Sequence, residues 1–180
     1  LIIPQNFLSS TRDSGYKSTA SALAELVDNS IDAGASIVKL SIYKLNGEIE
    51  LSVTDNGTGM TKKQLDNALL FGGSNKYNKR SSLGRFGMGL PNSSLSQARR
   101  VEVYSWKKKS KLSFNKLDVD EYRGGKIASN YQGNYMDIAE LASPSGTIVI
   151  WKKCDKLSFK SINPMLKHLS YFLGRFNSSR

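Results

Sequence analysis

The sequence predicts an α+β domain, a two-layer sandwich in which helices cover one face of a mixed, mostly antiparallel sheet. Three observations point there. Apolar alternation comes in pairs of short runs separated by turn residues, the mark of hairpins, and strand and helix patterns do not alternate one for one as a βαβ chain requires. Between the paired runs lie segments with helical spacing of apolar residues. At 180 residues and 39% hydrophobic content the chain has enough apolar material for one core, so residues 1–180 are read as a single domain.

The elements follow in order. Residues 1–15, with Pro4, paired serines and Gly15, read as an irregular N-terminal arm. A helix is expected over roughly 16–33, stopped by Gly34. At about 100° per residue it places Ala20, Leu23, Val27 and Ile31 on one side and Glu25, Asn29 and Asp32 on the other. "SIVKLSIYKL" and "EIELSVTD" alternate on either side of Asn46-Gly47, a tight hairpin turn. Thr61 and Gln64 form a capping-box pair that opens a helix to about Leu70. Residues 71–89 are rich in Gly, Ser, Asn and charge and read as a mobile loop before a short helix at about Leu90–Ala98. "VEVYSW" and "KLSFNKL" form a second hairpin, 118–143 are uninformative, "GTIVIW" is a buried strand, and 163–176 form a helix with Pro164 in its first turn.

Composition excludes several classes. No apolar run approaches the roughly 20 residues of a membrane-spanning helix. The chain begins with Leu and lacks a charged leader with an apolar stretch, so it is expected to be a fragment without a secretory signal. One cysteine, Cys154, can form no internal disulfide, which suits a reducing cytosol, and it has no nearby Cys with which to build a metal site. The net charge of +11 favours acidic partners such as DNA, and Lys107, Lys108, Lys109 and Lys111 lie beside Trp106. A soluble lysine-rich hairpin turn explains that cluster equally well.

Against this basic background Glu25, Asp28 and Asp32 stand together with Asn29, and no cation falls between Lys17 and Lys39. Like charges one turn apart repel, so an oxygen-rich face of this kind is suited to a divalent cation or a nucleotide carrying one. Asp55, Gly57 and Gly59 form D-x-G-x-G at a strand end, followed by Met60. A carboxylate there can accept a hydrogen bond from an exocyclic amine, and the glycines let backbone lie close to a planar ligand. Gly84, Gly87 and Gly89 make G-x-x-G-x-G ahead of a helix, with Arg85, Phe86 and Met88 between them. A glycine turn entering a helix offers backbone N–H groups to phosphate oxygens. Its order is not that of the dinucleotide fingerprint, and no Gly-Lys-Ser/Thr of a P-loop is present. Gly146 and Thr147 open the last strong strand.

In this order and spacing the pieces resemble the GHKL superfamily of Bergerat-fold ATPases: the gyrase and type II topoisomerase ATPase domains, MutL proteins, large heat-shock chaperones, sensor histidine kinases and MORC proteins. The resemblance is strong from Ala20 to Ser94, touches Gly146 and Thr147, and is thin elsewhere. It implies an ATP-binding domain in which Asn29 ligates Mg²⁺, Glu25 deprotonates the attacking water, Asp55 reads the adenine amine and Met60 packs on the base. Gly84, Gly87 and Gly89, within a lid spanning 71–89, wrap the phosphates; Lys76 in "FGGSNK" reaches a phosphate or stays solvated. Asp28 and Asp32 take secondary roles. "FGGSNK", "LGRFGMGLPNSS" and "ALAELVDNSIDAGA" look most like MORC-type sequences and secondarily like the chaperones. Leu90 and Pro91 depart from the MORC pattern, which has an aromatic or apolar residue and then a lysine.

Within that superfamily hydrolase is favoured over kinase, because Glu25 is present and the single histidine, His168, lies far downstream and reads as a surface or packing residue. The resemblance further implies slow turnover by the isolated chain, since topoisomerase and MutL relatives complete the phosphate site with a lysine from a second domain. It also implies an ATP-dependent homodimer in which residues 1–15 cross to the partner. The alternatives are a histidine-kinase-type catalytic domain and a nucleotide-responsive module that binds nucleic acid without turnover.

Overall fold

The computed structural model describes residues 4–70, 89–108, 110–121 and 143–177. Five strands form one sheet: β1 (Val38–Leu45), β2 (Glu48–Asp55), β3 (Ala98–Trp106), β4 (Ser113–Asp118) and β5 (Gly146–Cys154), in the order β1-β2-β5-β3-β4. All four pairings are antiparallel. Among the described residues five helices accompany them: α1 (Pro4–Ser14), α2 (Thr19–Asp32), α3 (Lys62–Ala68), α4 (Gly89–Gln97) and α5 (Ile162–Asn177). Among the described residues no helix is long and apolar enough to cross a membrane.

Strand alternation divides the apolar residues between the two sheet faces. Leu51, Val53, Val101, Val103, Leu117, Val149 and Trp151 pack with Leu8, Leu23, Leu26, Leu65, Leu95, Met165 and Leu169 from the helices in the main core. Tyr104, Trp106 and Ile148 form a smaller cluster on the other face with Leu112, Phe114 and Ile150, and among the described residues no helix residue joins it. The helices therefore cover one face, as the pattern predicts.

Local signals account for most boundaries. Ser18 caps α2 by accepting the Ser21 N–H, and Gly34 follows its end at φ +74, where a side chain is strained. Asn46 and Gly47 both take positive φ, as a two-residue hairpin turn demands. Thr61 and Gln64 close the expected capping box at the start of α3. In α4, Pro91 falls in the first turn, where it costs no helical hydrogen bond. The serines of this buried helix find partners: Ser93 donates to the Leu90 carbonyl and Ser96 to the Ser93 carbonyl within the helix, and Ser94 accepts the indole N–H of Trp151 on β5.

Two expectations fail. Residues 4–14 are helical rather than irregular. Pro4 sits at the helix start, where its missing N–H is harmless, and Leu8 and Arg12, one turn apart, both face the body. Arg12 donates to the Leu95 carbonyl of α4 and pairs with Asp155 beyond β5. The buried side of α2 is also rotated from the expected one. Leu23, Leu26 and Ser30 are buried while Ile31 is 40% exposed. Ser30 turns inward because the sheet presents it with an acceptor, Asp55.

Candidate functional site

On the helix-covered face, residues of β2, β5 and β3 line up in rows across the sheet. Register places Leu51 beside Trp151 beside Val101, then Val53 beside Val149 beside Val103, then Asp55 beside Thr147 beside Ser105. The first two rows are core. The third is polar and equally buried, so the apolar face stops one row short of the strand ends.

Asp55 anchors that row. Its Oδ1 accepts the Gly57 N–H at 2.9 Å and its Oδ2 the Ser30 hydroxyl at 3.1 Å. It has no cationic partner among the described residues. Burial raises its pKa above the ordinary carboxylate value, and the donors on Gly57, Ser30 and the Thr147 backbone offset this only in part. Ser105 binds the neighbouring loop: its Oγ accepts the Met60 N–H at 2.8 Å and lies 2.9 Å from both the Gly146 carbonyl and Thr147 Oγ1. A hydroxyl has one proton, so with that proton on Gly146 the Thr147 hydroxyl is the donor to Ser105.

The glycines here have packing reasons of their own. Gly59, at φ +64, lies so near β3 that a Cβ would fall 1.9 Å from the Trp106 carbonyl oxygen. At Gly146 a Cβ would fall 2.3 Å from the Asp55 carbonyl oxygen, and at Gly57 2.9 Å from the Ala33 Cβ. D-x-G-x-G is thus folded tightly onto the ends of β3 and β5 and the end of α2, which holds Asp55 and Met60 at one mouth of the sheet.

Ser30 connects that mouth to α2. Immediately before it on the helix is Asn29, and one further turn toward the start lies Glu25, both half-buried. Glu25 Oε2 accepts the Tyr16 hydroxyl at 2.9 Å, and Oε1 lies against Gly89, where a Cβ would fall 2.0 Å away. The first residue of α4 and the glutamate of α2 are therefore in contact, with the helix N-terminus facing the carboxylate. Asp28 is half-buried and Asp32 exposed.

The described residues thus bring together Asp55, Gly57, Gly59, Met60 and Thr147 at the sheet end, and Glu25, Asn29 and Gly89 along α2. Lys76, Gly84, Arg85, Phe86, Gly87 and Met88 lie outside the described residues. Ser30, Ser105 and Tyr16 escape sequence reasoning. Ser30 and Ser105 carry a faint signal, as polar residues in otherwise apolar stripes, whereas nothing local connects Tyr16 to Glu25. Trp106 is buried with its indole N–H on the Ser143 carbonyl, so it is no stacking platform beside the lysines. His168 packs on Phe159 at 5.1 Å between ring centres. Burial and nearby Glu50 push the Cys154 thiol up to about 12, which removes it as a nucleophile.

Residues 16–147 match the family model described as histidine kinase-, DNA gyrase B- and HSP90-like ATPase. The chain belongs to this GHKL family of ATPases. It is similar to the ATPase morc-1 of Caenorhabditis elegans, 38% identical over 85 residues covering 47% of this chain and 10% of the relative. The ATPase MORC2B of Mus musculus is 40% identical over 41% of this chain and 8% of its own length. The DNA mismatch repair protein MutL of Allorhizobium ampelinum is 28% identical over 84% of this chain and 25% of its own length. The chain therefore spans a quarter or less of these relatives.

Proposed function

We propose that this chain is an Mg²⁺-dependent ATP-binding and ATP-hydrolysing module. The observation that carries the reading is the buried Asp55 carboxylate at the mouth of the sheet, held by neutral donors and without a counter-ion among the described residues. A buried acid without a cation suits a ligand that brings its own donor, and the exocyclic amine of adenine is such a donor. Met60 and Thr147 border the base. Asn29 would hold Mg²⁺ through its amide oxygen, as the resemblance implies. Among the described residues no group of three or more His, Cys, Asp and Glu could hold a metal, so the ion would depend on the oxygens of the nucleotide it accompanies. When bound, the ion neutralises charge on the phosphates. Gly84, Gly87 and Gly89, with Arg85, Phe86 and Met88 and the Lys76 ammonium, line the phosphates; this assignment rests on the resemblance.

Glu25 stands as general base beside the start of α4. It takes a proton from water as the water oxygen bonds to the γ-phosphorus and the bond to the β,γ-bridging oxygen breaks. ADP and inorganic phosphate leave, and the proton passes to solvent. Turnover by this chain alone is slow. Dimerisation follows ATP binding, and because α1 is tied to the body by Arg12–Asp155 and Lys156–Asp13, an exchange of residues 1–15 must first break those pairs. A basic DNA-contacting face is a further proposal, resting on the net charge of +11.

Glu25→Ala tests the base. It should bind ATP as the unaltered chain does and lose hydrolysis at least about 100-fold. Hydrolysis at the original rate in that variant would refute the assignment.

A further inference from the structure

Tyr16 precedes the α2 cap by two residues, yet its position is fixed at both ends. Its carbonyl accepts the amide of Gln97 at 3.1 Å, and Gln97 is itself buried and held by the Thr19 hydroxyl at 2.9 Å. Its ring packs against the main core, and its hydroxyl donates to Glu25 Oε2 at 2.9 Å. On the far side of the same carboxylate, Oε1 is pressed against Gly89. The carboxylate is thus gripped between a phenol held by the end of α4 and the backbone that begins α4.

We propose that Tyr16 is the positioning residue for Glu25: it locks the carboxylate through Oε2 and leaves Oε1, at the start of α4, as the oxygen that takes the proton from water. This rests on the reading of Glu25 as the base. A carboxylate without such a partner samples several rotamers, and a proton acceptor must stand within hydrogen-bond reach of the water at the moment of attack. The phenol stays a donor across the whole working range, because burial and the Glu25 carboxylate push its pKa up to about 12. Gln97 and Thr19 carry the effect: by fixing the Tyr16 main chain, they tie the rotamer of Glu25 to the far end of α4.

The test is steady-state hydrolysis and calorimetric ATP binding for the unaltered chain, Tyr16→Phe, Glu25→Gln and the double variant Tyr16→Phe/Glu25→Gln, each with its melting temperature. Tyr16→Phe removes one oxygen and should lower kcat about tenfold while KM and the ATP Kd stay within about twofold. The double variant should be no slower than Glu25→Gln, because Tyr16 acts only through that carboxylate. An unchanged kcat in Tyr16→Phe overturns the positioning role and leaves the ATPase reading intact. A further loss in the double variant, or a weakened Kd together with a lowered melting temperature, shows a merely structural tyrosine and overturns it too. An unaltered chain that binds ATP without any turnover overturns both the base assignment and the role of Tyr16.

Discussion

Glu102 and Asp55 are carboxylates buried on opposite faces of the same sheet, and their surroundings differ in kind. Glu102 lies 2.5 Å from Arg100 and 3.3 Å from Lys152, and accepts the Tyr104 hydroxyl at 3.1 Å. Its neighbour Asp118 is likewise met by Lys153 at 3.0 Å and Arg100 at 3.8 Å. Among the described residues Asp55 is met by a serine hydroxyl and backbone N–H groups and by no cation. A buried acid in a structural role is paired, because an uncompensated buried charge is costly. One left unpaired at a strand end, with its pKa raised by burial, marks a place where stability is given up for binding. Among the described residues the buried carboxylates Glu102 and Asp118 of the outer face meet cations, and Asp55 at the helix-covered mouth does not.

That contrast can be broken by substitution in the unliganded protein. The largest effect belongs to Glu102→Ala, which takes the nearest carboxylate from both Arg100 and Lys152 and should cost about 3–5 kcal/mol in denaturant unfolding, with ATP affinity of the folded protein unchanged. Ser30→Ala should cost about 1–2 kcal/mol, since it removes one donor from a buried carboxylate. Asp55→Asn should cost least of all, and at pH 7 should leave the apo protein as stable as before or more so. The amide oxygen keeps the Gly57 N–H, and Ser30 can give its proton to the Leu26 carbonyl, 3.0 Å away.

The pH dependence of that last pair has a definite sign. An acid whose folded pKa lies above its unfolded value of 3.8 binds more protons in the native state between the two values. Its contribution to stability is therefore greatest below 3.8 and declines as pH rises through the folded value. Melting curves of the unaltered chain minus those of Asp55→Asn should show that decline; a difference that grows in favour of the unaltered chain as pH rises would reverse the sign and remove the claim that Asp55 is buried at a cost.

Much of this was legible because the signals are local. The Asn46-Gly47 hairpin, the Thr61–Gln64 capping box and the break at Gly34 need only neighbours in sequence. The D-x-G-x-G motif pointed to Asp55, but its lack of a counter-ion depends on what β5 and β3 place beside it, and no linear pattern carries that. The α1 helix is not legible locally because its buried Arg12 finds its partners in α4 and after β5, more than 80 and 140 residues away in sequence. The inward face of α2 departs from the expected one for a related reason: Ser30 is polar by composition, and its hydroxyl is satisfied inside by the Leu26 carbonyl and by Asp55, a partner 25 residues away. Tyr16 reaches Glu25 by the way the chain enters α2, which the helical pattern of α2 itself does not encode.

The central claim, that Asp55 is an acceptor kept for the amine of a purine, is tested most directly by calorimetric titration with ATP and with inosine triphosphate, whose 6-oxo group replaces the amine. The account predicts that ATP binds at least about 100-fold more tightly to the unaltered chain, because a carbonyl brought against a buried carboxylate leaves both oxygens without a proton. It further predicts that Asp55→Asn, whose amide can face a carbonyl, erases that preference. Equal affinity of the two nucleotides for the unaltered chain would contradict it.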